Sequence, residues 1–251
     1  MLRRLKGPSP VLRAIIILLS LLVTACATRN ATEQEETPDP IERVNRGIYR
    51  FNTYADTWVL RPIARGYEWV FPPLMRTGFN NFFENLNTPV DALNAFLQGK
   101  FIQGFSDVGR FLMNSTFGLA GFLDPATHAG LDKHDEDFGQ TLGVWGVPEG
   151  PYLMIPFFGP RTFRSGLGSV VDLFTSPLYS INDSSIRWGL FIAYQIHARS
   201  TLLGFDQELK RAFDPYAFIR DSYLQNREYL LYDGNPPEEE FFLDDEEFED
   251  F

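Results

Sequence analysis

One cysteine, Cys26, stands in 251 residues, so a disulfide framework within the chain is excluded. Histidine is nearly as scarce: His128, His134 and His197 are the only three, and none stands in H-E-x-x-H. Without a cysteine cluster either, a standard zinc site is excluded. The acidic knot Asp132, His134, Asp135, Glu136, Asp137 lacks the glycine and terminal glutamate of a calcium loop. It reads instead as a solvated turn capping a helix at Phe138. No G-x-S-x-G elbow occurs, Gly99-Lys100 lacks the rest of a phosphate loop, and Gly166-Leu167-Gly168 opens no strand–turn–helix unit. Ser200 follows His197 closely, but sequence proximity does not make a triad. These absences leave no catalytic residue, metal or cofactor to assign, and the expectation is a protein that is not an enzyme.

Positive charge is also short, and most visibly once the N-terminus is set aside. Residues 14–25, AIIILLSLLVTA, follow Arg3, Arg4, Lys6 and Arg13, and are too short for a transmembrane helix, which needs about 20 apolar residues. Residues 1–25 therefore read as a signal peptide. The run ends in Val23-Thr24-Ala25-Cys26, the pattern of a bacterial lipobox, which makes Cys26 the acylated mature N-terminus. Two or more acyl chains anchor stably where one binds marginally. With four basic residues removed from 22, the mature chain holds 18 Lys+Arg against 33 Asp+Glu, a balance of −15. That charge argues against nucleic acid as a partner and against a broad basic grip on anionic headgroups.

Residues 26–38 form a polar tether, 39–235 one domain's worth of chain, and 236–251 an acidic, disordered tail ending EEEFFLDDEEFEDF. That tail reads first as solubilising; its phenylalanines offer a basic partner some grip. Strand-like alternation is scarce, and Tyr152–Phe158 is the best candidate, weakened by Pro156. Helical spacing recurs instead. Asp39-Pro40 marks a helix start with Asp as N-cap, followed by Ile41, Val44, Ile48, Phe51, Ala55 and Trp58 on one face. Further helical runs fall at 79–86, at 90–97 after a Thr88-Pro89 break, at 101–112, 161–174, 185–204 and 214–231. The fold class is mostly α with little or no sheet. Twenty-four Phe and ten Tyr exceed what a compact bundle requires, so core filling and lipid facing both remain open.

Glycine and aromatics are concentrated in two places. Residues 143–168 are dense in Gly and Pro and almost free of carboxylates, and Asn114–Ala126 reads NSTFGLAGFLDPA, apolar, kinked and chemically inert. At these residues the sequence resembles the VacJ/MlaA family of outer-membrane lipoproteins. The resemblance is carried by DPIERVNRGIYRFN (39–52), NFFENLNTPVDALNAFLQGK (81–100), RFLMNSTFGLAGFLDPA (110–126), EDFGQTLGVWGVPEGPYLMIPFFGP (136–160) and DPYAFIRDSYLQNREYLLYDG (214–234). Pro148, where the family often has glycine, and Ser165, where an aspartate is common, depart from it.

The resemblance implies a ring of amphipathic helices around a central channel, lying in the inner leaflet of the bacterial outer membrane and anchored at its periplasmic face. Phospholipids that have strayed into the outer leaflet would pass through it to a soluble periplasmic lipid carrier, beside a trimeric porin. It also implies that a hairpin built from Asn114, Phe117, Gly118, Leu119, Gly121, Phe122, Leu123 and Asp124 sits beside the channel and influences whether it is open. A lipid-anchored periplasmic hydrolase and a porin-organising structural lipoprotein remain the rival readings.

Overall fold

The computed structural model describes residues 39–237. The expected signal peptide, the tether with Cys26, and all but the first two residues of the acidic tail lie outside them. Helix α1 (Glu42–Ala55), a π-helical turn (Asp56–Leu60) and α2 (Arg61–Val70) continue into one another without leaving helical backbone. The rod stops at Phe71, which is driven to extended backbone (ψ 115) because it precedes Pro72. Asp39 does not cap α1, as its sequence position predicts. The N-cap is Ile41, and the Asp39 carboxylate is buried, accepting from Asn45 Nδ2 at 2.7 Å and from the Tyr216 hydroxyl.

Helix α3 (Pro73–Leu97) runs straight through Pro89, where the sequence predicts a break. One missing N–H costs the helix one bond. Thr88 Oγ1 donates to the Glu84 carbonyl at 3.0 Å beside it, and Val90, Asp91, Ala92, Asn94 and Ala95 are all buried just beyond. Tertiary packing holds together what the local rule would split. A turn at Gly99 sends the chain into α4 (Phe101–Thr116), which packs along α3. There follow the short α5 (Pro125–His128), α6 (Phe138–Val144), a two-stranded antiparallel hairpin of β1 (Tyr152–Ile155) and β2 (Gly159–Thr162), and α7 (Phe163–Thr175). A 3-10 turn (Pro177–Ser180), α8 (Ser184–Thr201), a second 3-10 turn (Leu203–Phe205), α9 (Asp206–Arg211) and α10 (Pro215–Leu231) complete the order. The mostly helical class with one small sheet agrees with the sequence reading.

The sheet is small because α1 finishes it. Tyr152 pairs with Thr162 and Ile155 with Gly159, leaving the other edge of β1 free. Asn45 and Asn52, seven residues apart on α1, fill that edge. Asn45 donates to the Tyr152 carbonyl and accepts from Met154 N, while Asn52 donates to the Ile155 carbonyl and accepts from Phe157 N, all at 2.9–3.0 Å. Two side-chain amides thus stand in for a third strand. Tyr152 and Met154 pack with Tyr216 of α10 beneath it. Ser165, the departure from the family pattern, completes a reciprocal cap with Thr162 at the start of α7 and meets the Tyr223 hydroxyl at 2.7 Å. Nothing in the structure explains Pro148.

The interior is unusually polar. Among the described residues, nine apolar side chains are buried against seventeen polar or charged ones. Each of the latter makes at least one hydrogen bond, though single atoms such as Asn85 Oδ1, Asp107 Oδ2 and Gln140 Oε1 have no partner, and half-buried ions extend the network around them. Arg227 grips both oxygens of Asp137, and Arg199 joins Asp56 to Asp206. Lys100 bridges Glu136 and Asp233, and Asn94 links Asp172 to Thr141. The 132–137 segment is therefore no simple solvated turn. Asp137 does cap α6, accepting from Gln140 N, but Glu136 is buried and His134 Nδ1 meets Asp107 at 3.0 Å.

Candidate functional site

With hydrogen bonding turned inward, the large apolar side chains face out. Val44, Phe51, Trp58, Val59 and Ile63 are exposed along the first rod, and Phe101, Ile102, Phe105 and Leu112 along α4. Helix α8 repeats the pattern with Ile186, Trp188 and Ile192. Of the apolar face read from Ile41 to Trp58, Ile41, Val44, Phe51 and Trp58 are exposed while Ile48 packs half-buried against the core, and the one buried residue of α1 is Asn45. No described helix is long and apolar enough to cross a membrane. An apolar exterior on helices of this kind suits burial in one leaflet, parallel to it.

The Asn114–Ala126 segment is a tight hairpin joining α4 to α5. Its base is polar. Asp124 accepts from Arg110 Nη2 at 2.9 Å, Asn114 Nδ2 at 2.9 Å and Thr127 Oγ1 at 2.6 Å, and caps α5 through Thr127 N. Asn114 Oδ1 accepts from Ala126 N, and Arg110 donates onward to Thr127 and to the Leu131 carbonyl. Burial raises the Asp124 carboxyl, but the donors from Thr127, Asn114 and Arg110 outweigh it and hold it down at about 2.

Above the base the backbone turns back in left-handed conformation at Leu119 (φ 53), Ala120 (φ 59) and Gly121 (φ 95). Two consecutive non-glycine residues there are uncommon and strained. The turn is closed by Gly121 N to Asn114 O at 2.9 Å and Leu123 N to Gly118 O at 2.8 Å. Its glycines serve close approach. A Cβ on Gly118 would lie 2.4 Å from the Leu123 carbonyl oxygen, and one on Gly121 would lie 2.7 Å from the Asn85 side chain.

The apolar members divide. Phe122 packs inward, stacked on Phe82 with centroids 5.1 Å apart and edge-on to Phe79 at 5.8 Å. Phe117 (78 % exposed), Leu119 (69 %) and Leu123 (53 %) point out. The eight residues named from the sequence lie on this one hairpin, and the groups that hold it were not among them: Arg110, Thr127, and from α3 Asn81 and Asn85. Asn81 Nδ2 donates to the Phe122 carbonyl at 3.3 Å and Asn85 Nδ2 to Ser115 Oγ at 3.0 Å. Their signal was present as a run of asparagines at helical spacing, which a search for apolar periodicity discards.

The same turn of α3 lines a cavity on another side. A hollow of about 390 Å³ is bounded by Asn80, Phe83, Glu84 and Asp91 of α3 and by Tyr194 and His197 of α8, with Lys133 at its edge. Its wall is amphipathic. Burial keeps His197 below its ordinary pKa, and it sits between the Tyr67 hydroxyl (3.0 Å) and Asn80 Oδ1 (3.2 Å) as a neutral ring. Burial, with the charges of Asp135 and Asp107 nearby, pushes the Asp91 carboxyl up to about 9, so it is protonated at neutral pH and accepts from Asn87. No group of carboxylates and histidines suited to a metal ion occurs among the described residues. Cys26 lies outside them.

Known proteins share this architecture. The sequence model of the family described as "MlaA lipoprotein" matches residues 37–230. An Escherichia coli K12 protein named intermembrane phospholipid transport system lipoprotein MlaA is 35% identical over 217 residues, 85% of this chain and 86% of its own length. The Haemophilus influenzae protein of the same name is 32% identical over 235 residues, 92% and 94% of the two chains. A solved structure, described as the structural basis for maintenance of bacterial outer membrane lipid asymmetry, superposes with a TM-score of 0.69 at 34% identity, covering 77% of this chain and 98% of its own. The chain belongs to the MlaA lipoprotein family.

Proposed function

We propose that this protein takes part in intermembrane phospholipid transport, removing phospholipids from the outer leaflet of the bacterial outer membrane and so maintaining lipid asymmetry. The observation that carries the reading is the reversed distribution of polarity. An apolar exterior is matched to a leaflet, while a polar interior and an amphipathic cavity beside an apolar-tipped hairpin are matched to a headgroup with its chains. The names of the relatives support it. In this reading Cys26 anchors residues 39–235 through the tether 26–38, the helices form a ring around a channel, and the hairpin tip governs passage through it. The lipid moves without covalent change. It leaves by a soluble periplasmic carrier, and a trimeric porin sits alongside.

The test is the amount of phospholipid exposed on the cell surface. A strain lacking the protein should show a rise that the wild-type chain reverses; unchanged surface phospholipid in the null strain overturns the proposal. Native mass spectrometry of the detergent-extracted protein should show bound phospholipid and the acyl mass on Cys26. Phospholipid turned over by the pure protein would favour the hydrolase instead.

A further inference from the structure

The first rod carries a second stripe beside its apolar one. Arg43, Arg50, Tyr54, Trp58, Arg65 and Trp69 are all exposed, at spacings of seven, four, four, seven and four residues, on the side opposite the buried Asn45 and Ala64. A plain α-helix would let that series drift round the axis. The π turn at Asp56–Leu60 has wider turns with i→i+5 bonds, and so holds Trp58, Arg65 and Trp69 in line with Arg43. Next to it lie Val44, Phe51, Val59, Ile63 and Val70, also exposed.

The three arginines are set apart by their partners. Arg46 pairs with Glu42 and Asp214, Arg61 with Asp56 and Asp206, and Arg76 with Glu68, whereas Arg43, Arg50 and Arg65 have no carboxylate partner among the described residues. In a chain whose acids outnumber its bases, 33 to 22, three such arginines aligned with two tryptophans and a tyrosine form a local positive edge. An in-plane helix with arginine and Trp/Tyr along one stripe and apolar side chains along the next is the composition of a headgroup boundary.

We propose that the rod Glu42–Val70 lies in the headgroup plane of the membrane and that Arg43, Arg50 and Arg65 bind the phosphates of anionic phospholipids there. The occupant is a lipid surface, chosen by charge complementarity. The inference shares the membrane location of the proposed function and is independent of transport. Attraction to an anionic surface is worth roughly fivefold per arginine, about a hundredfold for three.

The full acylated chain, reconstituted in phosphatidylethanolamine vesicles containing phosphatidylglycerol, offers a direct readout through Trp58 and Trp69. Bromine placed on phosphatidylglycerol should quench tryptophan more strongly than bromine on phosphatidylethanolamine, and added salt should erase the difference. The triple variant R43Q/R50Q/R65Q, which alters only exposed side chains, should fold with unchanged helix content and quench equally from either lipid. Replacing Trp58 and Trp69 by Phe should remove the preferential component. Equal quenching in the wild type, or an unchanged preference in the triple variant, overturns the proposal, as does absence of quenching by either lipid, which would place a protein on this face. None of these outcomes alters surface phospholipid in the null strain, so the transport reading stands or falls separately.

Discussion

The base and the tip of the Asn114–Ala126 hairpin are built on opposite principles. At the base, the largely buried Arg110 and Asn114 converge on Asp124, and each polar group there has a specific partner. At the tip, Phe117 and Leu119 have no such constraint and present apolar surface outward. The comparison teaches a division of labour. A turn with two strained non-glycine residues persists only because the polar base over-determines it, and that rigidity leaves the tip free to be chosen for what it touches.

Breaking the base should have the largest effect. Asp124→Ala strands the buried Arg110 guanidinium and removes the cap of α5. The expected loss is about 3–5 kcal/mol, read as a lower unfolding midpoint in detergent and reduced abundance in cells. The pH dependence follows. The Asp124 carboxyl is held at about 2, below its unfolded value, so its stabilising contribution is complete above roughly pH 4 and disappears as pH falls towards 2.

Between base and tip the effect should be intermediate. Gly121→Val puts a branched side chain at φ 95 against Asn85, and Phe122→Asp removes the stack on Phe82 and Phe79. Each should cost about 1–3 kcal/mol, measurable by the same denaturation, so a transport defect in either is interpretable only at matched abundance.

The cavity-lining Asp91 carries the opposite sign from Asp124. Its carboxyl, raised to about 9 by burial and then by the charges of Asp135 and Asp107, is protonated in the folded protein but ionised when unfolded. The folded state therefore loses stability from this group as pH rises from its ordinary value near 4 to about 9. Asp91→Asn keeps an acceptor for Asn87 and should raise the unfolding temperature at pH 7 by a few degrees, about 1 kcal/mol, while leaving it little changed at pH 4. A variant less stable at both pH values would show that the protonated acid is not the folded form.

Much of this was legible in the sequence. All seven predicted helical stretches are helical, two of them fused into α3, the eight named loop residues lie on one hairpin, and the lone strand candidate holds β1. What the apolar period left open was direction. At Ile41, Val44, Phe51 and Trp58 the period was right and the side chains are exposed, because asparagines at 45 and 52 face inward to complete β1. At Pro89 local propensity lost to packing. At Asp39 an apparent cap proved to be a buried acceptor for Tyr216, a contact across 177 residues that no local pattern announces.

The smallest expected effect on stability belongs to the tip. Leu119→Asp should change stability by no more than about 0.5 kcal/mol, and aspartate tolerates the left-handed backbone of residue 119 better than leucine does. The hairpin account nevertheless predicts a functional failure there. Surface-exposed phospholipid should therefore be measured in cells carrying L119D together with F117D, at wild-type abundance. The account predicts exposure rising towards the level of a strain lacking the protein, because two charges would stand where acyl chains pass. Wild-type asymmetry in that variant would contradict it and reduce the hairpin to a packing turn.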